Sequence, residues 1–311
     1  MKALIIGGAG FVGGYLIKEL ADSGWDVHAT CLENEKITEK CSVHKLNILE
    51  EDDIKPLLDE IMPDVVYHLA AQSSVSVSWK KPQLTAEINV IGTINVLEAV
   101  RDSQKKDIRL ILIGSGEEYG FIRDGACPLS EEEKLDPGNI YAATKACQGM
   151  LGEIYARAYK MDIIMVRAFN HSGPQQAPMF VISDFCRQIA VIEKGESPAE
   201  MMVGNLSAKR DFTDVRDVVR AYRLLAEKGV SGRVYNVGRG KAVEIQFILD
   251  TALGLAKLPI EVKKDPARMR ASDIPLIEPD VSRIAEDTGW KAEISMEQTI
   301  EDTLNYWREN L

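Results

Sequence analysis

Short apolar runs and helix-period segments alternate through the first half of the chain. Ala3–Ile6, Trp25–Cys31, Val65–Leu69, Arg109–Gly114 and Ile163–Arg167 are each too short for an ordinary helix and end in glycine or small polar residues. Runs of that length and bounding read as strands covered on both faces. Apolar positions at helical spacing lie between them, near 11–22, 50–61, 84–102 and 140–159. This alternation predicts an α/β protein built on a parallel, doubly wound sheet. Beyond Asn170 the rhythm breaks. Gly173-Pro174 and Pro178 interrupt it, 179–194 and the stretch from about 295 read as helices, and 230–237 reads as a strand returning to the sheet. The expected organisation is a first domain over 1–170, completed by parts of 211–240, and a smaller, interleaved C-terminal domain over 171–311.

The first strand breaks into Gly7-Gly-Ala-Gly10-Phe11-Val12-Gly13. Glycines at i, i+3 and i+6 directly after a buried strand make a tight turn and let backbone N–H groups reach a pyrophosphate at a helix N-terminus. That is the opening of a Rossmann-type sheet, and it implies a dinucleotide. In such a sheet ligands sit outside the carboxyl ends of the strands. Those ends carry Gly7, then Leu69-Ala70-Ala71-Gln72, then Ser115-Gly116-Glu117, then Asn170. Tyr141 and Lys145 lie one helical turn apart on one face of the 140–159 helix, a phenol beside an ammonium. A dinucleotide loop with a proton-moving pair implies hydride transfer.

Composition narrows the partners. A net charge of −11 argues against nucleic acid, which needs a basic face. The diphosphate of a ligand must then meet local cations, and Arg210 and Arg270 are the candidates because a guanidinium meets phosphate oxygens bidentately. Five scattered cysteines without a Cys-x-x-Cys fit free thiols in a reducing, cytoplasmic setting. His28, His44, His68 and His171 show no ligand spacing, so no metal is expected. No secretory leader and no membrane-length apolar run is read. Gly114-Ser-Gly is not a nucleophile elbow, which excludes an α/β-hydrolase.

Taken in order, Gly7-x-x-Gly10-x-x-Gly13, His68-Leu-Ala-Ala71, Asn89-x-x-Gly-Thr-x-Asn-Val-Leu-Glu98, Ser115, Tyr141-x-x-x-Lys145, Arg167-Ala-Phe-Asn-His-Ser-Gly-Pro174 and Lys209-Arg-Asp-Phe-Thr-Asp-Val-Arg-Asp217 span essentially the whole chain. The set resembles the extended short-chain dehydrogenase/reductases, the NAD-dependent epimerase/dehydratase family that acts on nucleotide sugars. Within it the chain is most similar to GDP-4-keto-6-deoxy-D-mannose reductases, with GDP-mannose 4,6-dehydratases next. The resemblance implies a GDP-sugar substrate whose C4 ketone is reduced to give GDP-D-rhamnose. Tyr141 would be the proton donor, Lys145 its partner and ribose contact, and Ser115 the substrate-oxygen contact. Free tyrosine titrates near 10, and bringing it to neutrality takes about 4 kcal/mol of preferential phenolate stabilisation, expected from Lys145. Asn89 would face the crevice behind the nicotinamide, and Gln72, Asn170, Asn205, Arg210 and Arg270 would meet the nucleotide sugar. A homodimer through helices 84–102 and 140–159 is also implied. Glu117 matches the glutamate that serves the dehydratases as base, so elimination stays open beside reduction, as does the activity of another nucleotide-sugar epimerase or reductase. A non-catalytic dinucleotide sensor is the remote alternative, disfavoured by the intact Ser115, Tyr141 and Lys145.

The dinucleotide's identity rests on the second strand. Glu33 falls twenty residues after Gly13, the distance expected for a carboxylate on the ribose 2′-hydroxyl, and 28–35 holds no arginine or lysine. This leans NAD(P)H binding toward NAD(H). Asn47-Ile48 stands where many relatives carry aspartate before an apolar residue, and the asparagine carbonyl can still meet the adenine amino group.

Overall fold

The computed structural model describes residues 1–122, 125–268 and 276–311. Its strands are β1 (Lys2–Ile6), β2 (Asp26–Cys31), β3 (Ser42–Lys45), β4 (Val65–His68), β5 (Arg109–Ser115), β6 (Asp162–Ala168), β7 (Asn170–Ser172), β8 (Glu200–Val203), β9 (Lys209–Asp214), β10 (Val234–Val237), β11 (Ala242–Glu244), β12 (Glu261–Lys264) and β13 (Leu276–Ile277). Its α-helices are α1 (Phe11–Asp22), α2 (Glu51–Ile61), α3 (Val75–Lys80), α4 (Pro82–Ala86), α5 (Gly92–Asp102), α6 (Ile140–Tyr159), α7 (Val181–Glu193), α8 (Val215–Lys228), α9 (Ile245–Gly254), α10 (Ser282–Thr288) and α11 (Met296–Glu309).

Seven strands form one parallel sheet in the order β3-β2-β1-β4-β5-β6-β10. Successive side chains of β1 point to opposite faces, and both faces are covered, which is why the run is continuously apolar. Ile5 packs on one face with Leu16, Ile17 and Leu20 of α1 and Val218, Tyr222 and Leu225 of α8. Leu4 packs on the other with Ile54 and Leu58 of α2 and Val96, Leu97 and Val100 of α5. A separate core joins Ile182, Phe185 and Ile189 of α7, Ile248 and Leu249 of α9, and Ile300 and Leu304 of α11. The short strands β7, β9, β11 and β13 pair beside it.

Three of the differences from the sequence expectation bear on the site. The 84–102 helix starts earlier, at Pro82, and is broken by a π-helical turn over Glu87–Ile91. The returning strand is only Val234–Val237, because Gly232, at φ +77°, turns the residues before it. The strongly amphipathic α8 went unread inside a segment valued for its motif, and it seals the sheet beside α1.

Candidate functional site

Strand order reverses between β1 and β4, so a crevice opens at their carboxyl ends. The Ile6 carbonyl accepts both the Leu69 and Ala70 N–H groups, at 3.0 and 2.9 Å, and draws the two strand ends together. Gly7 sits there at φ +92°, and a Cβ on it would lie 2.7 Å from the Ala70 nitrogen. A Cβ on Gly13 would lie 2.4 Å from the Gly8 carbonyl oxygen, so α1 seats on the loop only with glycine at 13. Gly10 differs. Its φ of −74° and ψ of 165° suit any residue, and an added Cβ would meet only the Gly7 oxygen, at 3.5 Å. The protein's own packing therefore requires Gly7 and Gly13 but leaves Gly10 bare. As the N-cap of α1 it supplies no side-chain acceptor to the first N–H groups of the helix. A bare backbone face at a helix N-terminus fits a pyrophosphate. Beside it Phe11 stacks on His171, ring centroids 6.3 Å apart and nearly parallel, while Val12 packs toward the core under α1.

Ser115 ends β5 two strands away. Its Oγ accepts the Glu117 N–H at 3.2 Å, and its side chain acts on the Tyr141 phenol. Tyr141 and Lys145 occupy the first turns of α6, which is capped by Asn139 accepting the Ala142 N–H at 2.8 Å. Lys145 is 4% exposed and donates to the Ile113 carbonyl at 2.8 Å and Gln148 Oε1 at 3.0 Å. Burial pulls its ammonium down to about 8, against the charge of Glu118. Burial pushes the Tyr141 phenol up to about 12; the Ser115 side chain opposes this, and the charges of Glu118 and Glu117 add to it. The lowering expected from Lys145 does not act on the phenol in the protein alone, where the ammonium is turned to the Ile113 carbonyl and Gln148. At neutral pH Tyr141 is a protonated acid.

Sequence reasoning missed the support beneath this group. Glu118, 2% exposed, accepts the Ser115 N–H at 2.7 Å and the Arg167 guanidinium at 3.3 Å. Arg167 also donates to Tyr119 Oη and the Glu131 carbonyl. Burial raises the Glu118 carboxyl, while Arg167, Ser115 and Lys145 pull it down. Glu117 is half-buried beside it, and its Oε2 accepts the Asn139 amide at 3.1 Å. Charged residues at the end of an apolar run were the available signal for Glu118 and Arg167.

The family model described as GDP-mannose 4,6 dehydratase matches residues 4–303. The chain belongs to the GDP-mannose 4,6-dehydratase family. Within the extended short-chain dehydrogenase/reductases, it is 34% identical to the GDP-6-deoxy-D-mannose reductase of Pseudomonas aeruginosa over 85% of this chain and 86% of that one. It is 26% identical to a GDP-mannose 4,6-dehydratase of Vibrio cholerae over 96% and 91%. Among solved structures, RMD from Pseudomonas aeruginosa complexed with NADPH superposes with a TM-score of 0.89 at 31% identity, covering all of both chains. The Thermus thermophilus UDP-glucose 4-epimerase complex with NAD reaches 0.88 at 26% identity, again over both full chains.

Within this family member the remaining expected residues fall into different places. Asn89 is fully enclosed in the π turn instead of facing the crevice, because every polar atom of its side chain is engaged. Its Oδ1 accepts the Gln72 N–H at 2.8 Å, and its amide donates to the Gln72 carbonyl and to Thr144 Oγ1. Thr144 in turn donates to the Tyr141 carbonyl at 2.7 Å. Asn89 therefore ties the β4 loop to α6. Its own carbonyl accepts Thr93, which lies 3.1 Å from Nε2 of His68; burial, then the Lys145 charge, drops that imidazole to about 3 and keeps it neutral. Gln72 spends its side-chain amide on Ser74 and Thr85, which holds the loop before α3.

On the adenosine side, Glu33 is exposed in the turn after β2. Lys45, unread from the sequence, donates to the Leu32, Glu33 and Glu35 carbonyls of that turn. Asn47 caps its own turn by accepting the Leu49 N–H, and Ile48 is buried against Gly92 with its carbonyl held by Asn95. Ala71 is half-buried at the β4 end. On the substrate side, Asn170 is exposed at the start of β7, Asn205 accepts from Ser207, and Arg210 lies on β9. Arg268 pairs with Asp184. Arg270 lies outside the described residues. Among the described residues no cluster of three or more His, Cys, Asp or Glu side chains is placed to hold a metal, and no helix is long and apolar enough to cross a membrane.

Proposed function

We propose that this chain reduces the C4 ketone of GDP-4-dehydro-6-deoxy-D-mannose to GDP-D-rhamnose with NAD(P)H. The observation that carries the reading is the seating of the α6 N-terminus, with Tyr141 and buried Lys145, on the end of β5 at Ser115: Asn139 caps the helix and donates to Glu117, and Lys145 donates to the Ile113 carbonyl. The bound dinucleotide supplies the hydride. Ser115 and Tyr141 hold the ketone oxygen, and Tyr141 gives it a proton as the carbon becomes an alcohol. At neutral pH Tyr141 is in the protonated form that can donate, and the phenolate it becomes must be stabilised for the transfer to be efficient. Lys145 stabilises the phenolate left behind until solvent reprotonates it. Gly7, Gly10, Phe11, Val12 and Gly13 with Leu69, Ala70 and Ala71 seat the dinucleotide, with Asn47 and Ile48 near its adenine. Glu33 favours NADH by accepting from a ribose hydroxyl. Asn170, Asn205, Arg210 and Arg270 meet the GDP-sugar. Residues 1–170 with 211–240 form the dinucleotide unit, and the rest forms the sugar unit. The protein works in the cytoplasm as a homodimer through the helices spanning 84–102 and 140–159.

The test is enzymatically made GDP-4-dehydro-6-deoxymannose with reduced nicotinamide, followed by loss of its absorbance and by product analysis. The Tyr141→Phe variant should lose about 10²–10⁴-fold in kcat with dinucleotide affinity intact; near-normal turnover would refute the donor role. GDP-mannose alone should give no 4-keto product, and its appearance would move the chain to the dehydratases, the reading Glu117 favours.

A further inference from the structure

Two carboxylates follow Ser115, and they are held differently. Glu118 is locked beneath the strand by Arg167 and the Ser115 N–H. Glu117 is half-buried at the same strand end, where its charge acts on Tyr141. In the reading above, the substrate carries a hydrogen at C5 next to the C4 ketone, and such a hydrogen is acidic. A carboxylate beside Ser115 and Tyr141 is a base within the same cleft. The balanced side reaction is simple. Glu117 takes the C5 proton, the C5–H electron pair becomes the C4–C5 double bond of an enol, and Tyr141 protonates the former ketone oxygen. Reversal after the carboxyl exchanges with solvent returns a solvent hydrogen to C5. A reductase gains nothing from this cycle.

One contact bears on it. Asn139 uses both ends of its amide. Its Oδ1 caps α6 on the Ala142 N–H at 2.8 Å, and its Nδ2 donates to Glu117 Oε2 at 3.1 Å. The cap fixes Asn139 to the helix that carries Tyr141, so the donor cannot follow Glu117 if the carboxylate swings. We propose that Asn139 is a positioning residue that tethers Glu117 to the end of α6 and keeps it from acting as a base on the sugar. The inference rests on the proposed reduction and goes beyond it by assigning what keeps that reaction clean.

The test is deuterium entry at C5 of GDP-4-dehydro-6-deoxymannose in D2O, read by mass spectrometry with oxidised dinucleotide bound, beside the reduction rate of the same preparations. Asn139→Asp keeps a cap oxygen and removes the donor, and Asn139→Ser keeps a cap oxygen while drawing its only donor back to the cap, away from Glu117. Relative to the reduction rate, C5 exchange should rise at least about tenfold in both. Adding Glu117→Gln to Asn139→Ser should return exchange to the wild-type level. Loss of structure alone would lower exchange and reduction together, and melting curves on both variants mark that case. Exchange in both folded variants within about twofold of wild type, or a rise that survives Glu117→Gln, would overturn the tether. Wild-type protein that does not reduce the keto sugar at all would instead sink the proposed function and leave the exchange result to judge the tether by itself.

Discussion

At the scale of single residues, the site is a balance of burial against charge. Lys145 is dragged toward neutrality by desolvation and held ionised by Glu118. Its ammonium exists below about 8 and is lost as pH rises through that value, so reduction should fall on the alkaline side near 8. Glu118→Gln removes the favourable charge and should move that limb to lower pH, with a cost in stability of about 3–5 kcal/mol from the unpaired Arg167. A pH profile of kcat/KM that keeps its limb in place would separate Glu118 from Lys145. Tyr141 and Lys145 were legible because helical periodicity alone puts i and i+4 on one face. The Glu118–Arg167 pair was not, since Glu118 lies in the turn after β5 and Arg167 on β6, 49 residues apart, and they meet only in the folded chain. Asn89 shows the opposite failure: its motif announced importance, but only coordinates reveal that its side chain is spent on Gln72 and Thr144.

Among elements, the turn from β1 into α1 separates packing from binding. Gly13→Ala should destabilise by about 1–3 kcal/mol, because the methyl meets the Gly8 carbonyl. Gly10→Ala should cost less, about 1 kcal/mol at most, the difference between the two residues at an N-cap. It should nevertheless weaken dinucleotide affinity about tenfold or more by holding the pyrophosphate off the helix. Thermal melts and binding titrations on both variants decide this, and equal losses of melting temperature would remove Gly10 from the ligand face. Strands β1, β4, β5 and β6 could be read directly, since burial on two faces leaves an uninterrupted apolar run. Strand β3 could not: it is short, lies at the sheet edge and exposes Ser42, Val43 and Lys45. The π turn at Glu87–Ile91 has no signature in periodicity either. It adds a residue to a helical turn, and what fixes it there is the enclosed Asn89.

For the whole molecule, α6 and the helix before α5 leave apolar side chains uncovered. Ile91, Met150, Ile154 and Tyr159 are each about half exposed, and Met150 and Ile154 share a face of α6. Light scattering should give twice the 34.5 kDa chain mass for the wild type and the single mass for Ile154→Glu. A wild-type mass of one chain would end the dimer proposal. The weaker legibility of the second half has a related cause. Its strands are two to six residues long and pair with distant partners, so local pattern says little about them.

The route of the backbone between its cores has a further consequence. After β6 the chain enters the second core with α7, returns with α8 and β10, leaves with α9, comes back with α10 and Trp290, and ends in α11. Neither half is a detachable cassette. Transplanting the second core onto another member of the fold would demand splices at every crossing, so a chain wound this way is more readily altered by rewriting loops in place than by shuffling whole modules.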